Sequence, residues 1–88
     1  MAHTILFVDD EPEVLELLRR TFPSDEGYAS LTAPSAAKAL EILGKQPVDL
    51  LVTDQRMPGR TGIELIQEAR RLHPDLCAIV LAAYTDAR

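Results

Sequence analysis

The chain is short of the residues that cross-link a fold or grip a charged surface. It has one cysteine, Cys77, which excludes an intrachain disulfide and a multi-cysteine metal centre. Its position in the run Cys77-Ala78-Ile79-Val80-Leu81 reads as that of a small buried hydrophobe rather than a reactive thiol. The two histidines, His3 and His73, lie far apart in sequence; they form neither a triad nor a ligand set and read as surface residues. Nine Lys and Arg stand against fourteen Asp and Glu, a net charge of −5, with no basic run. That argues against direct binding of nucleic acid or an anionic membrane by this segment, because phosphate binding needs clustered cations. No apolar run is long enough to cross a bilayer, and Met1-Ala2-His3-Thr4 leads straight into a strand pattern instead of a signal sequence. A cytoplasmic location is expected. Low-complexity tracts, internal repeats and linkers are also missing.

What remains is globular: 88 residues, 47% apolar and 26% charged, read as a single domain over residues 1–88. A chain of this size buries somewhat more than about 60% of its unfolded surface, enough for a core with little to spare.

Four apolar segments alternate with three helical patterns. Thr4-Ile5-Leu6-Phe7-Val8 reads as a strand buried on both faces, closed by Asp9-Asp10-Glu11. Pro12 suits a first helical turn, Asp10 with Glu13 fits a capping box, and Val14, Leu15, Leu18 and Phe22 form a stripe that Leu17 widens. Pro23 to Gly27 is a turn. Tyr28 to Ala33 reads as a weaker strand at a sheet edge. Ser35 caps a helix packing through Ala36, Ala39, Leu40 and Leu43 and stopping at Gly44. Leu50-Leu51-Val52 is a buried strand that ends at Asp54 and is followed by the turn Met57-Pro58-Gly59. Asp49 reads as a surface residue at its start. Thr61 and Glu64 spell a capping box, with Ile63, Leu65, Ile66, Ala69 and Leu72 as the stripe and His73-Pro74-Asp75 as the stop. Cys77 to Ala83 is the fourth strand, again continuously apolar. The order βαβαβαβ implies an α/β fold with a parallel sheet, right-handed crossovers and helices on both faces.

On such a sheet the chemistry converges. Strands one and three both end in acid, and in a parallel sheet those ends share one edge, where open α/β sheets place their ligand sites. Taken singly, Asp10 reads as a helix cap and Asp9 as a solvated strand end. Jointly, Asp9, Asp10 and Asp54 put like charges in one small space, a set that calls for a hard divalent cation. Mg2+ suits a few carboxylates together with waters and a phosphate.

The segments Ile5-Leu6-Phe7-Val8-Asp9-Asp10-Glu11 and Leu50-Leu51-Val52-Thr53-Asp54-Gln55-Arg56-Met57-Pro58-Gly59, with Thr61-Gly62 following, resemble the receiver domain of bacterial two-component response regulators. The resemblance implies a flavodoxin-like, doubly wound fold. It implies Asp54 as phosphoacceptor for a sensor histidine kinase, with Asp10 a direct Mg2+ ligand, Asp9 orienting metal-bound water and the backbone carbonyl of Arg56 completing the metal shell. It implies a phosphoprotein of phosphorelay signal transduction rather than an enzyme, one that takes part in its own phosphorylation and dephosphorylation and controls an output domain outside this chain. Two departures accompany it. Ala82 stands where the family carries a Thr or Ser, at the head of the loop Ala83-Tyr84-Thr85, with Thr85 out of register. The family's fifth strand, with its Lys, and fifth helix are missing, so the domain reads as incomplete at its C-terminus. The alternative is a receiver-like interaction module that neither accepts phosphate nor switches. Without a fifth strand, self-association through the strand-four edge or the exposed sheet face is expected.

Overall fold

Ile5-Leu6-Phe7-Val8 and Leu50-Leu51-Val52 offer water no polar face. In the computed structural model, which describes residues 3–21 and 27–81, they lie side by side at the centre of a four-stranded sheet. The elements are β1 (His3–Val8), α1 (Pro12–Thr21), β2 (Tyr28–Ala33), α2 (Ala36–Leu43), β3 (Leu50–Asp54), α3 (Gly62–Leu72) and β4 (Cys77–Leu81). The strands run parallel in the order β2-β1-β3-β4, so β2 is an edge strand, as its weak pattern implied. On one face, Leu15 of α1 packs with Ile5, Phe7 and Val52. On the other, Leu6, Val8 and Leu51 pack with Ala36, Ala39 and Leu43 of α2 and Leu65 and Ala69 of α3. This is the expected doubly wound arrangement. Phe22 and the turn beginning at Pro23 lie outside the described residues, as do Ala82, Ala83, Tyr84 and Thr85.

Helices α2 and α3 start as their sequences dictate. The Ser35 hydroxyl accepts the Lys38 N–H at 3.1 Å. Thr61 and Glu64 form a complete capping box: the Thr61 hydroxyl accepts the Glu64 N–H at 3.1 Å, and the Glu64 carboxylate accepts the Thr61 N–H at 2.9 Å. Helix α1 starts differently. The N–H groups of Val14 and Leu15 both donate to the Glu11 carbonyl, and the carboxylate that accepts a backbone N–H here is Asp9's, from Glu11 at 2.9 Å. The expected Asp10 cap is therefore replaced, and Asp10 stays exposed.

Strand β4 departs most from its sequence reading. Its residues alternate, with Cys77, Ile79 and Leu81 exposed and Ala78 and Val80 half-buried. Register explains it. Cys77 pairs with Leu50, Ile79 with Val52 and Leu81 with Asp54, which puts all three on the α1 side of the sheet. Helix α1 contacts β1 and β2, and among the described residues nothing covers that side of β4. Cys77 is thus an exposed thiol and not the buried hydrophobe its neighbours suggested.

Leu17, Ile63 and Leu72 depart from their expected burial, whereas Gly44 and Asp49 stand where the sequence put them. Leu17 is 63% exposed, beside Leu81 in a surface cleft. Ile63 is exposed because it points nearly opposite Leu65 around α3. Leu72 is in phase but occupies the last helical residue, bordering a cleft with Val48 and Leu76. Gly44 stops α2 in a right-handed conformation, its N–H donating to the Leu40 carbonyl. Asp49 clamps the start of β1, accepting the Thr4 N–H at 2.7 Å and donating its own to the Thr4 carbonyl at 2.9 Å. His73 ties the ends of α3 and α2 together, Nε2–H donating to the Leu43 carbonyl at 2.6 Å.

Candidate functional site

Register builds the site. Val8 pairs with Thr53, so the residues that follow, Asp9 and Asp54, leave the sheet side by side. Asp10 comes one step later, in the turn into α1. Each of the three contributes a carboxylate oxygen to a group whose atoms all lie within 4.8 Å of one another. The three acids that the sequence placed in one small space stand together in the structure.

Their surroundings differ. Asp9 is buried, 7% exposed, while Asp54 is half-buried and Asp10 exposed. Burial pushes the Asp9 carboxyl above its ordinary value; the Glu11 N–H pulls it back, and the negative charges of Asp54, Asp10 and Glu11 raise it further. A carboxylate held in such a place is under electrostatic stress that a cation would relieve. Three hard oxygen donors at this spacing fit a small divalent ion such as Mg2+, which takes a few carboxylates and keeps several waters.

The Asp54 carboxylate is held from behind. Its Oδ1 accepts the Gln55 N–H at 2.9 Å. The Gln55 carbonyl accepts the Gly62 N–H at 3.0 Å, and the Gln55 side-chain oxygen accepts the Ile63 N–H at 3.0 Å. The first turn of α3 thus rests on the peptide that follows the acid. Gly62 permits the contact: a Cβ there would stand 2.4 Å from the Asp54 carbonyl oxygen and 3.1 Å from the Gln55 Cα. Between them, the chain turns through Gly59, whose φ of 84° favours glycine. The roles of Gln55 and Gly62 were not legible beforehand. The only sequence signal was a glycine directly after the capping threonine, and a pattern does not reveal how closely a backbone approaches.

In front of the acids lies a cleft shared by polar and apolar residues. Asp9, Glu11, Asp54 and Arg56 line one part, and Val14, Leu17 and Leu81 the other. A group at Asp54 would meet the carboxylates of Asp9 and Glu11, Arg56 and the apolar side of this cleft.

Comparisons with known proteins agree with this geometry. The sequence model of the response regulator receiver domain matches residues 5–88. The hydrogenase transcriptional regulatory protein HoxA of Cupriavidus necator is 45% identical over 84 residues, 96% of this chain but 17% of that protein. The chain thus spans less than a fifth of the length of HoxA. Among solved structures, response regulator TrrA of Thermotoga maritima in complex with Mg(2+)-BeF superposes with a TM-score of 0.84 at 38% identity, covering 98% of this chain and 74% of that one. TrrA in complex with the histidine kinase ThkA gives a TM-score of 0.83 at 38% identity, covering 98% of this chain and 73% of TrrA. With its parallel sheet, its helices on both faces and its acids gathered at one strand edge, the chain belongs to the response regulator receiver domains of two-component systems.

Proposed function

We propose that Asp54 accepts a phosphoryl group from a sensor histidine kinase and that its phosphorylation state controls an output carried outside this chain. The carrying observation is the convergence of Asp9, Asp10 and Asp54 within 4.8 Å at the end of β1 and β3. One oxygen of the Asp54 carboxylate forms a bond to phosphorus as the N–P bond of a phosphohistidine breaks. The electron pair leaves with the imidazole nitrogen, and Asp54 becomes an acyl phosphate. Phosphoryl transfer asks the protein for in-line positioning and charge neutralisation more than for covalent help, so the domain needs no general base and is a phosphoacceptor rather than an enzyme acting on a separate substrate. Asp10 and Asp54, with the backbone carbonyl of Arg56, would hold Mg2+, and Asp9 would orient its water. Bound there, Mg2+ would neutralise the acids and the charge developing on the phosphoryl oxygens. The TrrA complexes with Mg(2+)-BeF and with a histidine kinase support the metal and the partner.

Among the described residues, no helix is long and apolar enough to cross a membrane, which supports a cytoplasmic domain; the net charge of −5 supports a protein partner over nucleic acid. The bare side of β4 supports self-association, expected in sedimentation at micromolar concentration as a dimer; a monomer throughout would remove that part of the reading.

The test of the phosphoacceptor is direct. Incubation with a small acyl-phosphate donor and Mg2+ should add one phosphoryl group to the chain, and Asp54→Asn should abolish the addition. Phosphate mapping to Ser, Thr or another Asp, or none in the presence of metal and donor, would overturn the assignment.

A further inference from the structure

Helix α3 begins with a group of orphan donors, as every helix does, and their partners can be counted. Two belong to the capping box: Thr61 N–H goes to Glu64, and Glu64 N–H to Thr61. The other two, Gly62 N–H and Ile63 N–H, both go to Gln55, one to its carbonyl and one to its side-chain oxygen. The remaining backbone group of Gln55, its N–H, donates to Oδ1 of Asp54. Gln55 therefore faces two ways: its acceptors are held by the first turn of an eleven-residue helix, and its donor is held to the acid of the site.

We infer that Gln55 is a positioning residue for phosphoryl acceptance, fixing the orientation of the Asp54 carboxylate by anchoring its hydrogen-bonded peptide to the N-terminus of α3. The inference rests on Asp54 being the acceptor. Without an anchor, a carboxylate on a strand end is free to rotate about its side-chain bonds, and each rotation moves the attacking oxygen off line. A bond to Oδ1 from a pinned N–H removes that freedom and leaves Oδ2 without this constraint. The side-chain amide is what makes the pin specific. Any residue at position 55 can offer its carbonyl to Gly62, but only an acceptor of this length reaches Ile63 as well. Small misplacements are costly in such chemistry, since in-line geometry supplies much of the rate.

The test compares Gln55→Met, of similar length but without the acceptor, with Gln55→Glu, which restores one. Three measurements are made on the full chain. These are the rate of phosphoryl uptake from a small acyl-phosphate donor with Mg2+, amide exchange at Ile63, and the 13C resonance of the Asp54 carboxyl. For Gln55→Met the expected result is faster exchange at Ile63, a moved Asp54 resonance, and uptake slowed about tenfold at saturating Mg2+ in protein that remains folded. Gln55→Glu should recover the Ile63 protection and most of the rate. If Gln55 only caps the helix, Gln55→Met will speed exchange and lower stability while the uptake rate and the Asp54 resonance stay at their wild-type values; that result overturns the inference. If the wild-type chain takes up no phosphoryl group at Asp54, the acceptor assignment fails, and the Asp54 resonance alone then decides whether Gln55 orients the carboxylate.

Discussion

Gly62→Ala should destabilise the protein by about 1–3 kcal/mol, the usual penalty for forcing a methyl group into filled space. The sign is not obvious, because in an exposed helix alanine is favoured over glycine by up to about 1 kcal/mol. Distance decides the contest. The new Cβ would lie 2.4 Å from the Asp54 carbonyl oxygen, a backbone atom that cannot swing aside. Either α3 slides away from β3, weakening the Gly62 bond to Gln55, or the Asp54 peptide tilts and carries its carboxylate with it. Both relaxations reach the site. Thermal melting should therefore fall by several degrees in a domain of this size, and phosphoryl uptake should slow in the protein still folded. A melting temperature equal to or above that of the wild type would show that the contact relaxes without cost, and would remove the close approach from the account of how the site is held.

Asp10→Asn should reverse its effect on stability when Mg2+ is added. Asp10 is exposed and shares the cluster with Asp9 and Asp54, so in the metal-free protein it contributes repulsion. Neutralising it should raise the metal-free melting temperature by a few degrees, the modest effect expected of a charge in contact with solvent. With Mg2+ the order should invert. The cation stabilises whatever binds it, in proportion to affinity, and losing one carboxylate should weaken binding about tenfold or more. The wild type should then gain stability at metal concentrations that leave Asp10→Asn unchanged. Parallel melting curves, with no crossover between zero and saturating Mg2+, would mean that Asp10 does not share a metal site with its neighbours.

Much of this was legible because the pattern and the physics agree over β1 to α3. Continuous apolar runs of the length of Ile5 to Val8 and Leu50 to Val52 have few destinations other than the middle of a parallel sheet, and neighbouring parallel strands align their terminal acids without further instruction. The capping signals of Ser35 and of Thr61 with Glu64 were correct because they depend only on local chemistry. Failures arose where a residue's fate depends on what lies across from it. Cys77, Ile79 and Leu81 carry the same apolar letters as the central strands, and only the sheet order shows that α1 stops short of them. Asp10 lost its capping role because α1 starts one residue later than the box required, the N–H groups of Val14 and Leu15 both closing on the Glu11 carbonyl. Gln55 was noted in sequence only as part of the motif around Asp54, because two donors of a helix start seven and eight residues away leave no trace in its own neighbourhood.

The exposed side of β4 gives the protein a chemical reporter of its own. Cys77 is the sole sulfhydryl in the sequence, and it stands on the uncovered flank, two residues before Ile79 along the same row of side chains. A maleimide applied to the bare domain modifies one site, without competition. Whatever comes to lie over that flank, be it a second copy, a kinase or a neighbouring stretch of a longer polypeptide, screens the same atom. The labelling half-life therefore measures occupancy of the flank that begins at Cys77, opposite Leu50, and runs to Leu81, opposite Asp54, with no engineered probe.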